Sequence, residues 1–268
     1  MITRLYRSKS DIENLSRLKT TIPTGKDRYD YKKSVVNKPW GYEYLMFENK
    51  EVSIWILYLK QNQSTSMHCH PNKKTSLIVI RGEVLCTTLE GFSRRKEGEG
   101  LVIESSVFHT TKGISKRGAI IMEIESPPNK RDLVRLKDLY GREGKGYEGE
   151  AQMSRQLNKY EYIDFHGVNP KMRKTIRFGT CVMSLCVHRR HGTIHHRIKR
   201  EKAEVFCLLS GELHDYKGNK LLSAGEAMTV KELKKISRIG AFRAIMYLTL
   251  RYVKRNAGPA LRRHGKKH

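Results

Sequence analysis

The stretch from Ser66 to Gly82, SMHCHPNKKTSLIVIRG, constrains the fold more than any other part of the chain. Two histidines stand at i and i+2, a polar turn follows, and an apolar run closes on a glycine. Alternate side chains of a β-strand share a face, so His68 and His70 point together while Cys69 points away. Two neutral imidazoles converging from one strand make half of a site for zinc, manganese, iron or nickel. Leu77-Ile78-Val79-Ile80 is short, rich in β-branched residues and bounded by polar residues and glycine, the pattern of a second, buried strand. Pro71-Asn72-Lys73-Lys74 has the chemistry of the turn between them.

The pattern recurs. Glu204–Leu213, with Gly211 after its apolar run, aligns with the segment that starts at Thr75, and Ser223–Val230 aligns with the Gly98 turn and the strand after it. Self-similarity in a fixed order predicts a duplicated domain. Short apolar runs without long amphipathic arrays predict an all-β chain. The boundaries follow: an N-terminal arm (1–35), helical or irregular, a first domain (36–142), a linker rich in Gly, Glu and Lys (143–159), a second domain (160–253) and a basic tail (254–268) expected to be disordered. In the arm, Ile12, Leu15 and Leu18 suit one short amphipathic helix, and Pro23 and Gly25 mark a loop.

A third histidine, His109, follows Gly98-Glu99-Gly100 and Leu101-Val102-Ile103. This order of HxH strand, glycine-ended strand, Gly-rich turn, strand and lone histidine resembles the two-motif signature of the cupin superfamily. The chain departs from that signature at Asn62 and Ser106, where glycines are usual, at Glu104, where proline is usual, and at Thr75, where a glutamate ligand is usual. The segments KPWGYEYL, from Lys38, and DLVRLKDLYGR, Asp132 to Arg142, resemble the entry and exit of the cupin domain of type II mannose-6-phosphate isomerases and related sugar-modifying cupins. The resemblance implies a bicupin of two tandem double-stranded β-helix (jelly-roll) domains. It further implies one divalent metal held by His68, His70 and His109, Trp40 and Tyr42 closing one end of the barrel, and a homodimer as the default assembly.

A metal with open coordination positions can polarise a carbonyl or hydroxyl and acidify the neighbouring C–H bond. The expected activity is therefore isomerisation or epimerisation of a sugar phosphate or nucleotide sugar in carbohydrate or cell-surface polysaccharide metabolism. Glu123 and Glu125 are the candidates for the proton shuttle, either being able to fill the vacant ligand position; the competing placement is on an outer face, in solvent. Lys73, Lys74 and Thr75 are the candidate substrate-binding residues. Thr75 brings no negative charge to the metal, and lysines leaning toward the opening would draw in an anion. Two alternatives stand beside this reading: a three-histidine iron cupin dioxygenase, and a non-catalytic bicupin that binds an anionic sugar.

The second copy has diverged where chemistry would sit. Counted from Gly211, the HxH positions hold Arg197 and Lys199, Ile236 replaces the last histidine, and Glu204 keeps a carboxylate. Arg197, Lys199 and Arg200 suit an anion pocket or a solvated charged strand. The formal charge of +26, from 53 Lys+Arg against 27 Asp+Glu, concentrates anions around the chain. Phosphorylated or nucleotide-linked small molecules are the expected partners; nucleic acid is not favoured, since no RNA-binding aromatic motif or recognition helix stands out. No apolar run reaches the roughly 20 residues of a membrane span, and the start of the chain lacks the continuous apolar core of a signal peptide. Five cysteines in no framework spacing predict reduced thiols and a cytoplasmic location.

Overall fold

A computed structural model describes residues 1–18, 29–143, 147, 150–167, 173–189 and 192–253. The chain is all-β, with three short α-helices among the described residues, and forms two double-stranded β-helix barrels of two sheets each. In the first barrel the larger sheet runs Gly100–Ile103, Lys74–Arg81, Ala119–Ser126, Ser53–Leu59, Gly41–Glu48. The larger sheet of the second runs Ala227–Thr229, Val205–Ser210, Ile245–Tyr252, Cys181–His188, Lys174–Phe178. The two orders correspond strand for strand. So do the smaller sheets, in which Met67–Cys69, His109–Gly113, Glu83–Thr88 and Phe92–Lys96 match Gly192–Thr193, Ile239–Ala241, Glu212–Asp215 and Lys220–Ser223.

The match extends to backbone detail. Each glycine-ended strand slips register against its neighbour just before the glycine, opposite Ile120 and Ile121 in one barrel and opposite Met246 and Tyr247 in the other. Gly82 and Gly211 then take φ of +81° and +83°, and a Cβ on either would meet another atom within 3 Å. Only glycine fits both the dihedral and the space.

The two large sheets pack face to face, which explains why the strand that the sequence shows as uniformly apolar does not alternate. Leu77 and Val79 join Trp55, Leu57 and Ile121 in the core of the first barrel. Ile78 and Ile80 face the other way and share a core with Met183, Leu185, Cys207 and Leu248 of the second. A strand buried on both faces reads as a continuous hydrophobic run, and each such side chain contributes roughly 1.5–3 kcal/mol. Polar contacts set the alignment of the barrels. Ser76 Oγ donates to Gly225 O at 2.6 Å, Ser210 Oγ donates to Glu51 Oε1 at 2.7 Å, and Arg4 donates to Glu226 Oε1 at 2.8 Å.

The flanking segments differ from expectation. The N-terminal stretch packs on the first barrel, where Ile2–Leu5 extends the large sheet in parallel with Gly100–Ile103. The helix Lys9–Arg17 begins in a Ser8–Asp11 capping box, and Asp11, itself buried, also accepts from Phe108 N at 2.8 Å. Leu15 and Leu18 pack on Cys69, Phe108 and Val134, whereas Ile12 is 51% exposed, because an i, i+3, i+6 series drifts around a helix by about 60° per step. The presumed linker contributes Met153–Ser154 as an edge strand against Val35–Val36. Residues placed at the start of the second domain belong physically to the first: Tyr162 lies 4.5 Å from Tyr44, centroid to centroid, and Phe165 N donates to Met46 O. Arg197 and Lys199 sit on a short helix, His195–Arg200, not on a strand, and Ile236 caps another, Val230–Lys235. The five cysteines are free and buried. The loop at Pro23 and Gly25 and the tail 254–268 lie outside the described residues. Among the described residues no helix is long and apolar enough to cross a membrane.

Candidate metal centre

His68 and His109 are direct cross-strand partners, and His70 follows two residues along on the same face as His68. The ring centroids lie 4.5 Å apart for His68–His109, 4.9 Å for His68–His70 and 5.5 Å for His70–His109. One ligand atom from each residue falls within 4.8 Å of the others. Among the described residues this is the one group of His, Cys, Asp and Glu side chains so placed. Cys69 points away into an apolar cluster with Phe108 and Val134, as strand alternation requires.

Each imidazole is oriented by a backbone carbonyl. Nδ1 of His68 meets Ser66 O at 2.8 Å, that of His70 meets Asp132 O at 2.6 Å, and that of His109 meets Val107 O at 3.0 Å. A carbonyl only accepts, so each Nδ1 carries the proton and each Nε2 presents a lone pair. His70 Nε2 is buried with no hydrogen-bond partner. An orphaned, converging lone pair is what a divalent cation would satisfy, so these residues fit a metal. Burial drives His68 and His70 well below the ordinary imidazole range and His109 down to about 4, keeping all three in the neutral form that ligation needs.

Two residues at positions where the sequence resemblance leads one to expect glycine have positive φ. Asn62 and Ser106 take φ of +62° and +65°, the left-handed region that glycine enters without cost. Thr75, at the glutamate position, is buried with its hydroxyl unpartnered. It follows Lys73 and precedes Leu77 on the inward phase of the strand but does not line the cavity around the histidines.

The free volume of that cavity is about 60 Å³, rising to about 600 Å³ only when the open space at its mouth is counted. Glu123 and Glu125 both line it and are buried, so neither is on a solvated outer face. Glu123 Oε1 lies 3.9 Å from His70 Nε2. Burial, reinforced by the Glu125 charge and opposed by Lys130, pushes the Glu123 carboxyl up to about 7. Glu125 goes the other way: burial is outweighed by Lys130 and Lys73, which hold it ionised. Lys73 is not at the mouth. It is buried at 1% exposure, its ammonium 2.7 Å from Glu125 Oε1 and 2.9 Å from Asn129 O. Lys74 is not in the cavity at all. Strand alternation turns it toward the second barrel, where it pairs with Glu226 and lies 3.5 Å from Glu104.

Other lining residues escaped the sequence reading. Lys130 sits 3.2 Å from Glu125 and 3.8 Å from both Glu123 and Glu43, with its ammonium 4.0 Å from the Trp55 ring centroid. Lys38 pairs with Glu43 at 3.1 Å. Tyr147, in the linker, bonds to Glu43 and packs edge-on against Trp55 and Tyr31. Lys38 and Glu43 both lie within the KPWGYEYL segment, which is a signal for them; nothing in the sequence marks Tyr147. Trp40 lines the cavity, whereas Tyr42 packs outside it, tilted against Tyr58 and edge-on to Tyr160. Among the described lining residues Lys38, Lys73, Lys130, Arg135 and Arg142 stand with Glu43, Glu123 and Glu125, Arg142 also pairing with Asp138 at 2.7 Å. This cation excess suits an anionic ligand.

Fold and site together define a two-barrel double-stranded β-helix protein with a three-histidine centre in its first barrel. No family model matches the chain, and no curated protein matches it. Among solved structures it is similar to oxalate decarboxylase from Bacillus subtilis, at 12% identity and a TM-score of 0.39, over 86% of this chain and 77% of that one. A cupin 2 conserved barrel domain protein from Leptotrichia buccalis is similar over 90% of this chain and 95% of its own, at 13% identity and a TM-score of 0.31. KdgF from Halomonas sp. is similar over 34% of this chain and 84% of its own, at 11% identity and a TM-score of 0.32. These likenesses are loose, and the fold is defined by the repeated strand order itself.

Proposed function

We propose that the first barrel binds one divalent metal through His68, His70 and His109 and moves a proton on an anionic sugar, in an aldose–ketose isomerisation or an epimerisation of a sugar phosphate or nucleotide sugar. The observation that carries this reading is the buried Glu123 carboxyl, which opens on the same cavity as the histidines and lies 3.9 Å from His70 Nε2. A bound ion would polarise the oxygen of the substrate next to the reacting carbon. Glu123 then takes the proton from that carbon and, in isomerisation, returns it to the neighbouring carbon while a proton passes between the two oxygens. In epimerisation a second acid on the other face must deliver the proton. Glu125, locked between Lys73 and Lys130, stays charged. Two adjacent carboxylates in such different surroundings divide the work, one carrying a proton and one holding charge. The basic lining residues favour a phosphate-bearing substrate over a neutral sugar.

The three-histidine set also fits the iron dioxygenase reading, and in its favour the sequence has an uncharged Thr75 where the cupin signature usually has its glutamate ligand. One experiment separates the two. Protein loaded with Zn, Mn, Ni or Fe is incubated with aldose and ketose phosphates in D2O, and exchange at the carbon next to the carbonyl is followed by NMR. Glu123→Gln should lose exchange by about 100-fold or more while retaining its metal. Absence of exchange with every metal, together with dioxygen consumption by the iron form, would transfer the assignment to the oxygenase.

A further inference from the structure

The second barrel has lost the histidines but not its cavity. Strand register shows what replaced the chemistry. Glu123 stands opposite Leu77 and Trp55, and the equivalent position in the second barrel, opposite Phe206 and Ser184, is Thr249. Two residues on, Glu125 stands opposite Ser53, and its counterpart opposite Val182 is Arg251. The acidic pair of the first barrel has become a threonine and an arginine.

The cavity around these positions has a free volume of about 640 Å³ and is lined by Arg173, Arg197, Arg200, Lys202 and Arg251, with Glu201 the one acidic lining residue among the described residues. Its floor is polar and buried: Ser184 and Thr249 are 4% and 2% exposed. Two guanidiniums are held by neutral acceptors. Arg197 donates to Val187 O at 3.2 Å and to the Tyr247 hydroxyl at 3.3 Å, and Arg173 donates to Ser184 Oγ at 3.2 Å. Among the described residues none of the five lining cations is in an ion pair with a carboxylate. The first barrel is the opposite case, with Lys38, Lys73 and Lys130 each meeting a glutamate. Lys199 takes no part, because its ammonium donates to Lys234 O.

Guanidiniums gathered around one concavity repel each other unless an anion lies between them, and their planar forks match phosphate oxygens. We propose that the second barrel binds a small molecule carrying two phosphate groups, held by Arg173, Arg197 and Arg251 above the Ser184–Thr249 floor. Five cations and one glutamate sum to +4, of which one phosphate, at about −1.5 to −2, leaves about half uncompensated; a diphosphate brings it close to balance. A concave cavity with a hydroxyl-lined floor favours a compact ligand over a nucleic-acid strand, which tracks open grooves and stacks on aromatic side chains. This proposal does not depend on the reaction assigned to the first barrel.

Titration calorimetry of the full chain with inorganic pyrophosphate tests it. The expected result is one site per chain, weakened at least tenfold in Arg197→Ala/Arg251→Ala and unchanged in His68→Ala/His109→Ala. Both arginines are exposed, so the double variant should fold, and its circular dichroism and melting curve check that. Arg251→Glu should weaken binding further. Binding that survives the arginine changes, or disappears with the histidine changes, would overturn the proposal and place the anion in the first barrel. Binding of a single-stranded oligonucleotide with none of pyrophosphate would overturn it in favour of a nucleic-acid surface.

Discussion

Ser106 N donates to His70 O at 2.8 Å, tying the turn before the third histidine to the end of the strand that carries the other two. Ser106 makes this bond with φ at +65°, a conformation disfavoured by a serine Cβ. Ser106→Gly should therefore stabilise the protein by about 0.5–1 kcal/mol, net of the extra chain entropy of glycine. Asn62→Gly, at φ +62°, should change stability less, because asparagine tolerates the left-handed region. Urea midpoints of the two variants test this, and a destabilised Ser106→Gly would count against it.

Metal content should depend on all three histidines and not on Cys69. After dialysis against zinc or manganese, the wild-type chain should hold about one equivalent, and His109→Ala roughly a tenth or less. Cys69→Ser should hold as much as wild type, because Cys69 is packed with Phe108 and Val134 on the other side of the strand. Elemental analysis of the purified variants is the measurement.

Glu125 is the anchor of the buried charge network, 2.7 Å from Lys73, 3.2 Å from Lys130 and 3.0 Å from Ser53 Oγ. Glu125→Gln leaves two buried ammonium groups short of a counter-charge and should cost about 3–5 kcal/mol. Adding Lys73→Met should restore part of that loss, since it removes one of the stranded cations. Equal or additive losses in the double variant would show that the network is solvated.

The contact between the barrels should weaken in acid. Burial alone would raise the Glu226 carboxyl, but hydrogen bonds from Arg4 and Lys74 outweigh it and hold the group at about 2 in the folded chain, against an ordinary 4.5. A depressed folded value stabilises the protein above the unfolded value, and that contribution is lost as pH falls from about 4.5 toward 2. Because Arg4 and Lys74 keep side-chain exposures of 29% and 24%, screening limits the effect to about 1–2 kcal/mol. Glu226→Gln should therefore be less stable than wild type at pH 7 and equal to it near pH 2, with thermal melts across that range as the check.

The sequence by itself determined what is local or repeated. HxH alternation follows from the period of two along a strand, so His68, His70 and the outward Cys69 could be read directly. The duplication was legible because the same glycine is needed at each register slip, at Gly82 and Gly211. Tertiary structure alone decided which way the flanking charged residues face. The large sheets are buried on both sides, so alternation between apolar and polar no longer marks inside from outside. Glu123 and Glu125 could then be assigned to neither face, and the adjacent Lys73 and Lys74, which look alike in sequence, part company into the cavity and the interface between barrels. Tyr147 reaches the site and Ile2–Leu5 completes the sheet through contacts far apart in the chain. Such contacts leave no periodicity in the sequence, because they depend on where folding brings distant segments and not on their neighbours.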